Sequence, residues 1–429
     1  MRLTFCELKD MRISKFAIIS AFSGLIAPGF AQVSTQQLTG GINPITTSVP
    51  FLLIAPDSRQ GGMGEVGAAT PADVNSIHWN GSKLAFAEKN MGFGISYTPW
   101  LRQLVPDISL SYVSGYGKVS KMSAIGASLR YFSLGNITFT DINGNTTGQF
   151  KPNEFAVDIA YSQKLSQTFA AGIAIRYINS NLTGGVTLSN GQATKAGQSV
   201  AVDVSMLYKT KKGWELADKK ATGTIGLAVT NIGSKISYTT VKNFIPINMR
   251  LGGGLKFDID DYNTFGMYAD LNKLLVPTPP VYQKMKTVSG ADSSAVAIDP
   301  ATGAPIIESG KDPNRSVASG MFGSFNDAPG GGKEELREIN IAGGFEYWYA
   351  KQFAVRAGYF YEHKTKGGRQ FFNIGLGVRY SVFGLDMAYL IPTTLRNPLQ
   401  NTLRFTLTFD FDAFKSQNKD AAPASTPAP

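Results

Sequence analysis

The stretch TLRFTLTFDF, residues 402–411, alternates strictly between two kinds of side chain. Threonine, arginine and aspartate occupy every second position, and the row between them is apolar: Leu403, Phe405, Leu407, Phe409 and Phe411. A period of two predicts a β-strand with one apolar and one polar face. The same alternation recurs in 155–162, 200–209 and 353–362, so the pattern predicts an all-β fold.

Two all-β architectures give this alternation, a soluble sandwich and a transmembrane barrel. Transmembrane strands need about 9–11 residues and have aromatic girdles at both membrane interfaces, and bacterial barrels have an even number of strands. The alternating segments here run about 8–14 residues and end in Phe, Tyr and Trp. They predict a 14-stranded antiparallel transmembrane β-barrel with strands at about 91–98, 107–115, 120–132, 154–162, 168–179, 198–209, 223–232, 247–257, 262–271, 336–349, 352–362, 370–380, 384–390 and 401–411.

The connections between these segments alternate between short and long, as periplasmic turns and extracellular loops do. The exception is 210–222, a long link on the side that should have short ones. Within a barrel of 91–411, residues 272–335 form the longest extracellular loop, and their Ser, Ala, Asp and Gly content is typical of a flexible segment. The end, 412–429, is predicted to be a disordered periplasmic tail.

The cost of charge in lipid decides which face of each strand points outward. Arg or Lys on the lipid face near the bilayer midplane costs roughly 2–4 kcal/mol, and a slip of one residue would move a whole polar row there. The charged residues of the strands are therefore predicted to face the lumen: Asp158, Arg176, Asp203, Arg250, Asp270, Glu346, Arg356, Arg379 and Arg404. Their mixed sign disfavours a strongly ion-selective pore.

The N-terminus predicts export by a secretory signal peptide, which together with the barrel predicts the outer membrane of a Gram-negative cell. A short basic start precedes the apolar run 16–28 and a small-x-small site, so 1–31 is predicted to be a cleaved signal peptide, with Met1 or Met11 as its start. The run is shorter than the roughly 20 residues of a spanning helix. Cys6, the only cysteine, precedes it. The mature chain is therefore predicted to have no disulfide, Cys nucleophile or Cys-bound metal.

The stretch GGMGEVG, residues 61–67, matches the G-x-G-x-x-G spacing of dinucleotide-binding loops through Gly62, Gly64 and Gly67. That motif requires a helix that opens on its last glycine. Pro71 interrupts the position of such a helix, and the predicted export takes the chain away from the cytosolic cofactors. We interpret the glycines as positions for tight turns and for close approach to the barrel wall.

The sequence predicts neither a catalytic nor a metal site. Of the two histidines, His78 adjoins Trp79 and is expected to pack, and His363 lies beside lysines in a loop and is expected to be solvated. The acidic turn 258–262 is interpreted as solvated rather than as a calcium site. The net charge of +10 includes no long Lys/Arg cluster, so nucleic acid is not an expected partner. We therefore predict a protein that is not an enzyme and has no cofactor.

Residues 32–90 precede the first strand and are too long for a tether, so they are expected to form a plug in the lumen or to hang below the barrel. Their stretch 51–86 resembles the PorV branch of the FadL family of outer-membrane proteins, whose members have an N-terminal hatch. FadL proteins usually have Asn-Pro-Ala where this chain has Asn-Gly-Ser at 80–82. The resemblance is carried by Pro56, Asp57, Arg59, Gly61, Gly62, Met63, Gly64, Asn75, Trp79 and Asn80.

The resemblance implies an outer-membrane component of the type IX secretion system of the Bacteroidota. Such a protein would receive the C-terminal signal domains of cargo from a large translocon barrel and deliver them to the surface attachment and sortase complex. Its partners would be outer-membrane lipid, the translocon, cargo and the sortase complex proteins. The alternative is a FadL-type channel for hydrophobic small molecules. It would need a lateral exit, for which a kink in the glycine-rich segment 250–257 is a candidate.

Overall fold

The computed structural model describes residues 42–102, 105, 107–140, 146–187, 191–211, 213–286, 292–394 and 397–412. The predicted signal peptide, Cys6 and nearly all of the predicted tail lie outside these residues. Residues 43–429 form one compact unit, and the fold described here is that of this unit.

Within the described residues, fourteen antiparallel strands close into a barrel, so the predicted fold class is confirmed. Each strand pairs with its neighbours in the chain, and the last strand pairs with the first, since Gly92–Tyr97 faces Phe405–Asp410. The strands are β1 (Met91–Pro99), β2 (Ile108–Lys118), β3 (Ser123–Leu134), β4 (Asn153–Lys164), β5 (Phe169–Asn181), β6 (Gly197–Lys209), β7 (Lys219–Gly233), β8 (Asn248–Asp258), β9 (Asn263–Leu274), β10 (Asn340–Tyr349), β11 (Phe353–Tyr361), β12 (Gln370–Tyr380), β13 (Phe383–Pro392) and β14 (Leu403–Asp410).

Burial along the strands is the inverse of burial in a soluble sheet. In β5, Ile173 and Ile175 are exposed on the outside, whereas Ala174 and Arg176 between them are buried. The period-two pattern therefore places apolar side chains toward lipid and small or charged side chains toward the lumen. The wall leaves an interior that other residues of the chain must fill.

The connections alternate in length around the barrel. The turns at the end predicted to face the periplasm are 119–122, 165–168, 210–218, 259–262, 350–352 and 381–382. The loops at the other end, predicted to be extracellular and numbered in chain order, are loop 1 (100–107), loop 2 (135–152), loop 3 (182–196), loop 4 (234–247), loop 5 (275–339), loop 6 (362–369) and loop 7 (393–402). In the long link that broke the pattern, Glu215–Leu216 pairs with Lys219–Lys220, so a hairpin continues β7 below the barrel.

Loop 5 has more regular secondary structure among its described residues than its composition predicted. Short antiparallel pairs join Val281–Tyr282 to Ile307–Ser309 and Lys284–Lys286 to Asp292–Val296. A helix, Gly332–Arg337, occupies the position where the tenth strand was predicted to begin, so β10 starts at Asn340 instead of 336. A composition rich in Ser, Ala, Asp and Gly therefore does not exclude short strand pairs within a loop.

The plug lies inside the barrel, which decides between the two positions that the sequence left open. It contains two short helices, α1 (Ser58–Gly61) and α2 (Ser76–Trp79), and 3₁₀ turns at Pro50–Leu53 and Gly81–Phe86. Two more helices, α3 (Val317–Gly323) and α4 (Gly332–Arg337), belong to loop 5. No helix in the described ranges is long and apolar enough to cross a membrane.

The plug runs through the whole lumen from one end to the other. Its first residues lie among the extracellular loops, where the backbone N–H of Asn43 donates to Thr365 of loop 6 at 2.8 Å. Its last residues lead into β1 at the periplasmic end. Most residues from 55 to 87 are buried, because the strands surround them on all sides.

Candidate functional site

The two plug helices are joined through one buried carboxylate, that of Asp57. It caps α1 by accepting the backbone N–H of Gln60 at 2.9 Å, and it accepts the indole N–H of Trp79 from α2 at 2.7 Å. Burial and the neighbouring Asp73 raise the pKa of Asp57 above its usual range. Pro56 before it and Trp79 are both buried, so the motif segment forms the core of the plug.

The plug is bound to the barrel wall by Arg59. Its Nε and Nη2 atoms donate to the two carboxylate oxygens of Glu346 in β10, both at 2.8 Å. Its Nη1 atom donates to Asp73 of the plug at 2.9 Å. A bidentate ion pair of this kind fixes the relative orientation of the two side chains as well as their distance, because the planar guanidinium matches the carboxylate.

The ion pairs continue from Glu346 along the wall. Arg356 Nε donates to Glu346 at 2.9 Å, and Arg356 Nη1 donates to Asp386 at 2.8 Å. Arg379, near the periplasmic end, donates to the other oxygen of Asp386 at 2.6 Å. Positive and negative charges therefore alternate from the plug across β10, β11, β13 and β12.

A second group of ion pairs lies on the opposite wall. Arg176 donates to Asp158 at 2.5 Å and to Asp203 at 3.0 Å. It also bonds to Asn231, whose own backbone N–H donates to Asp203 at 2.7 Å. Asn231 lies in a bulge of β7 between Val229 and Ile232, and the bulge places it within hydrogen-bond distance of this buried network.

Asp270 of β9 holds the backbone of the plug. It accepts the N–H groups of Gly67 and Ala68 at 2.7 and 2.9 Å. The carbonyl of Gly67 accepts in turn from the Lys83 ammonium at 2.8 Å. A Cβ at Gly67 would lie 2.3 Å from the Trp79 ring, so this position has no room for a side chain.

The glycine segment 61–64 touches the wall through its backbone. Gly64 has a φ of +71°, and a Cβ there would lie 2.6 Å from both the N and the O of Tyr359. Met63 packs over two glycines of the wall, Gly344 and Gly358, where added Cβ atoms would meet it at 2.1–2.8 Å. A Cβ at Gly62 would lie 3.0 Å from the Cα of Gly375. These contacts require plug and wall to lie backbone against backbone.

The remaining predicted residues also contact the plug or lie within it. Arg404 of β14 donates to Glu65 at 2.7 Å and to the carbonyl of Gly61 at 3.4 Å. The guanidinium of Arg250 lies 4.6 Å from the centre of the Trp79 ring, a cation–π distance. The amide of Asn80 donates to the carbonyls of Ala68 and Met206, and Asn75 accepts from Ser114 at 3.1 Å.

Sequence reasoning missed several charged members of this site. Arg130 lies on the polar row of β3 and donates to the carbonyl of Leu52 at 2.8 Å. Its guanidinium also lies 2.5 Å from Nδ1 of His78. Burial and this guanidinium lower the pKa of His78 well below its usual range, which keeps the ring neutral. The alternation in β3 and β13 would have identified Arg130 and Asp386, whereas Asp73 and Lys83 have no periodic context.

One small cavity lies between the plug and the wall among the residues that the structure describes. The cavity, beside Asn80 and lined by Ile77, Asp203 and Thr230, has a volume of about 10 Å³, room for about one water molecule. Among the residues that the structure describes, no cluster of three His, Cys, Asp or Glu side chains could hold a metal ion. His363 is half-buried and accepts the N–H of Thr365 at 3.2 Å, so it is less solvated than predicted.

The family model for the type IX secretion system protein PorV matches residues 37–281, more than half of the 429 residues. The chain belongs to the PorV family. This PorV-family protein is therefore an outer-membrane component of the type IX secretion system, and PorV proteins are not an enzyme family. The match confirms the resemblance that the plug motif carried, and it includes the described plug and strands β1 to β9.

Solved structures similar to this PorV-family chain include a toluene transporter and a FadL homologue. The Ralstonia pickettii toluene transporter TbuX is 11% identical over 83% of this chain and 97% of its own, with a TM-score of 0.43. A Pseudomonas aeruginosa FadL homologue is 12% identical over 86% and 100%, also with a TM-score of 0.43. The comparison with curated proteins found no match.

Proposed function

We propose that this PorV-family barrel is a carrier rather than a conduit. It receives the C-terminal signal domains of cargo proteins from the large translocon barrel and delivers them to the surface attachment and sortase complex. The observation that carries the proposal is the plug: it is buried through the lumen and paired to β10 through Arg59 and Glu346 and to β14 through Glu65 and Arg404. Cargo transport through such a lumen would require breaking several buried ion pairs together.

Loop 5 supports the proposal because it exposes large apolar side chains at the extracellular end. Phe322 and Phe325, in and just after α3, are 73% and 49% exposed, and Leu336 in α4 is 70% exposed. Large apolar side chains that a loop exposes are candidates for contact with a partner protein. We infer that they contact the signal domain of cargo.

The alternative, a channel for hydrophobic molecules, finds less support. Its predicted exit was a kink in the glycine-rich segment of β8. Every residue of β8 faces a partner in β7 on one side and in β9 on the other, without a register shift. Asn231 occupies the bulge in β7, where its backbone N–H donates to Asp203 and its side-chain amide donates to Pro246. An open lateral exit would need unpaired backbone at one of these positions.

The test is a deletion of the gene, followed by complementation. We expect cargo to accumulate in the periplasm of the deletion strain and to be secreted again when the wild-type chain is restored. Normal secretion together with lost uptake of a hydrophobic solute would contradict the carrier role and favour the channel.

A second experiment tests the loop 5 surface. The triple variant Phe322→Ser, Phe325→Ser, Leu336→Ser should assemble but should pull down less cargo signal domain than the wild type. Tyr262→Ser, which changes an aromatic residue that is 63% exposed on a periplasmic turn, is the matched control. Equal capture by all three proteins would exclude loop 5 as the docking surface.

A further inference from the structure

The first described residues of the plug make hydrogen bonds to three extracellular loops. The backbone N–H of Asn43 donates to Thr365 of loop 6, and its side-chain amide donates to Pro279 and Glu334 of loop 5 at 3.0 and 3.1 Å. The backbone N–H of Ser48 donates to Phe244 of loop 4 at 2.9 Å. Residues 43–48 thus join loops that are far apart in sequence.

The acceptor of Asn43 in loop 5 belongs to a buried network of charges. Glu334 also accepts from Lys366 of loop 6 at 2.5 Å, and Lys366 pairs with Glu338 at 3.0 Å. Glu338 pairs in addition with Lys273, at the end of β9, at 2.6 Å. The network therefore connects the barrel wall, α4 and loop 6, and Asn43 adds the N-terminal segment to it.

Behind this network, the same segment closes the lumen with apolar side chains. Val49, Phe51 and Leu52 are almost fully buried. They pack in one cluster with strand ends and with loops 4 and 5, including Ile108, Phe132, Ile178, Ile236, Ile245, Ile247, Leu275 and Val276. Residues 43–48 thus lie outside an apolar seal, at the extracellular surface.

We propose that residues 43–48, together with Glu334 and Lys366, form a clasp that holds loops 4, 5 and 6 together over the outer end of the lumen. The clasp is reached from outside the cell, although the plug continues to β1 at the periplasmic end. The clasp concerns the arrangement of the outer loops, so its tests do not use cargo.

The first test determines the side of the membrane on which the clasp lies. Thr46 and Glu88 are both exposed and lie at opposite ends of the plug. In a Cys6→Ser background, Thr46→Cys should react with a membrane-impermeant maleimide on intact cells, and Glu88→Cys should react only after permeabilisation. Labelling of Thr46→Cys that also requires permeabilisation would overturn the proposal.

The second test measures how strongly the clasp restrains local opening of loop 5. In purified full-length protein in micelles, trypsin cleavage at the exposed Lys333 should be faster in Asn43→Ala and Glu334→Gln than in the wild type. Asn43→Ala removes the two hydrogen bonds that its side-chain amide donates, which predicts an increase of at least about fivefold, since local opening governs cleavage. Asn43→Ala alters a partly exposed side chain and should assemble, so the test can be made even if Glu334→Gln does not assemble.

The matched control removes a different ion pair of loop 6. Arg369 pairs with Glu362 at 3.0 Å and makes no contact with residues 43–48 in the described interactions. Arg369→Met should leave cleavage at Lys333 at the wild-type rate. Unchanged cleavage in both clasp variants, or an equal increase in the control, would overturn the clasp.

Discussion

The outer and inner layers of the plug fill the same lumen by different means. The outer layer, residues 49–52, contributes Val49, Phe51 and Leu52 to an apolar cluster with strand ends and loops. The inner layer, residues 57–83, also makes apolar contacts with the wall, but it adds buried ion pairs and hydrogen bonds, such as those of Arg59 and Asp270. Both layers are buried, and they differ in the chemistry of their contacts.

Because of this difference, one layer of the plug closes the lumen and the other fixes the position of the plug. Apolar contact is non-directional and scales with buried area, so the outer layer can exclude water without a unique geometry. A buried ion pair is favourable only at close range with its hydrogen bonds made, and removing one partner leaves an uncompensated charge. The inner layer therefore fixes the position of the plug, whereas the outer layer closes the extracellular end.

The largest expected effect comes from the backbone contacts of the inner layer. Gly64→Val would place a β-branched side chain at a positive φ and against the backbone of Tyr359, so assembly of the barrel should be lost. Gly62→Val, where the nearest wall atom is 3.0 Å away, should reduce assembly less. The measurement is the folded fraction, by heat-modifiable migration of outer-membrane extracts.

Gly253→Val is the control for these two variants. Its added Cβ would meet no atom within 4 Å. It should assemble as the wild type does. Normal assembly and secretion of Gly64→Val would show that close contact at this glycine is not needed.

The next effect is the loss of a charge that two arginines share. Glu346→Gln leaves Arg59 and Arg356 buried with less counter-charge and should lower the free energy of unfolding by about 3–5 kcal/mol, measured by denaturant titration in micelles. Glu88→Gln, at an exposed position, should change it by less than about 0.5 kcal/mol. Combining Glu346→Leu with Arg59→Met should recover part of the loss. Equal stability of Glu346→Gln and the wild type would contradict the role of these ion pairs in fixing the position of the plug.

The outer layer should respond more weakly and in a graded way. Leu52→Ala removes a buried side chain from the apolar cluster and should lower the free energy of unfolding by about 2–3 kcal/mol while the barrel still assembles. The variant should also let small solutes enter more readily, measured by conductance in planar bilayers. An effect on assembly as severe as that of Gly64→Val would contradict the division between the layers.

The wall of this barrel was predictable from sequence because its strands repeat every two residues over most of their length. The same alternation predicted inward-facing positions for Arg176, Asp203 and Glu346, and the structure places each of them in a buried ion pair. It failed at α4, where a helical turn follows Gly331 in a segment with no alternation. A short helix that is stabilised by Lys273 and Lys366, far away in sequence, leaves little local signal.

The path of the plug was not predictable for a related reason. Residues 43–90 have almost no regular structure, and their positions depend on partners more than 200 residues away, such as Glu346 for Arg59 and Asp270 for Gly67. The sequence motif identified which residues matter to the plug. It contained no information on which end of the lumen Asn43 would reach.

The smallest expected effect concerns a titratable group that only the inner layer contains. Burial lowers the pKa of Lys83 to about 8, against the opposing effect of Asp73, with smaller effects from Arg59, Asp270 and Asp57. Because the folded pKa is below the unfolded value of 10.5, the native state binds fewer protons between these two values, and stability should rise with pH there. From pH 8 to pH 9 the wild type should gain about 1 kcal/mol relative to Lys83→Met. The measurement is the difference between the two denaturant titrations at each pH, in which the other titrating groups cancel. A constant difference over this range would mean that Lys83 stays charged in the folded plug up to pH 9 and that burial does not lower its pKa.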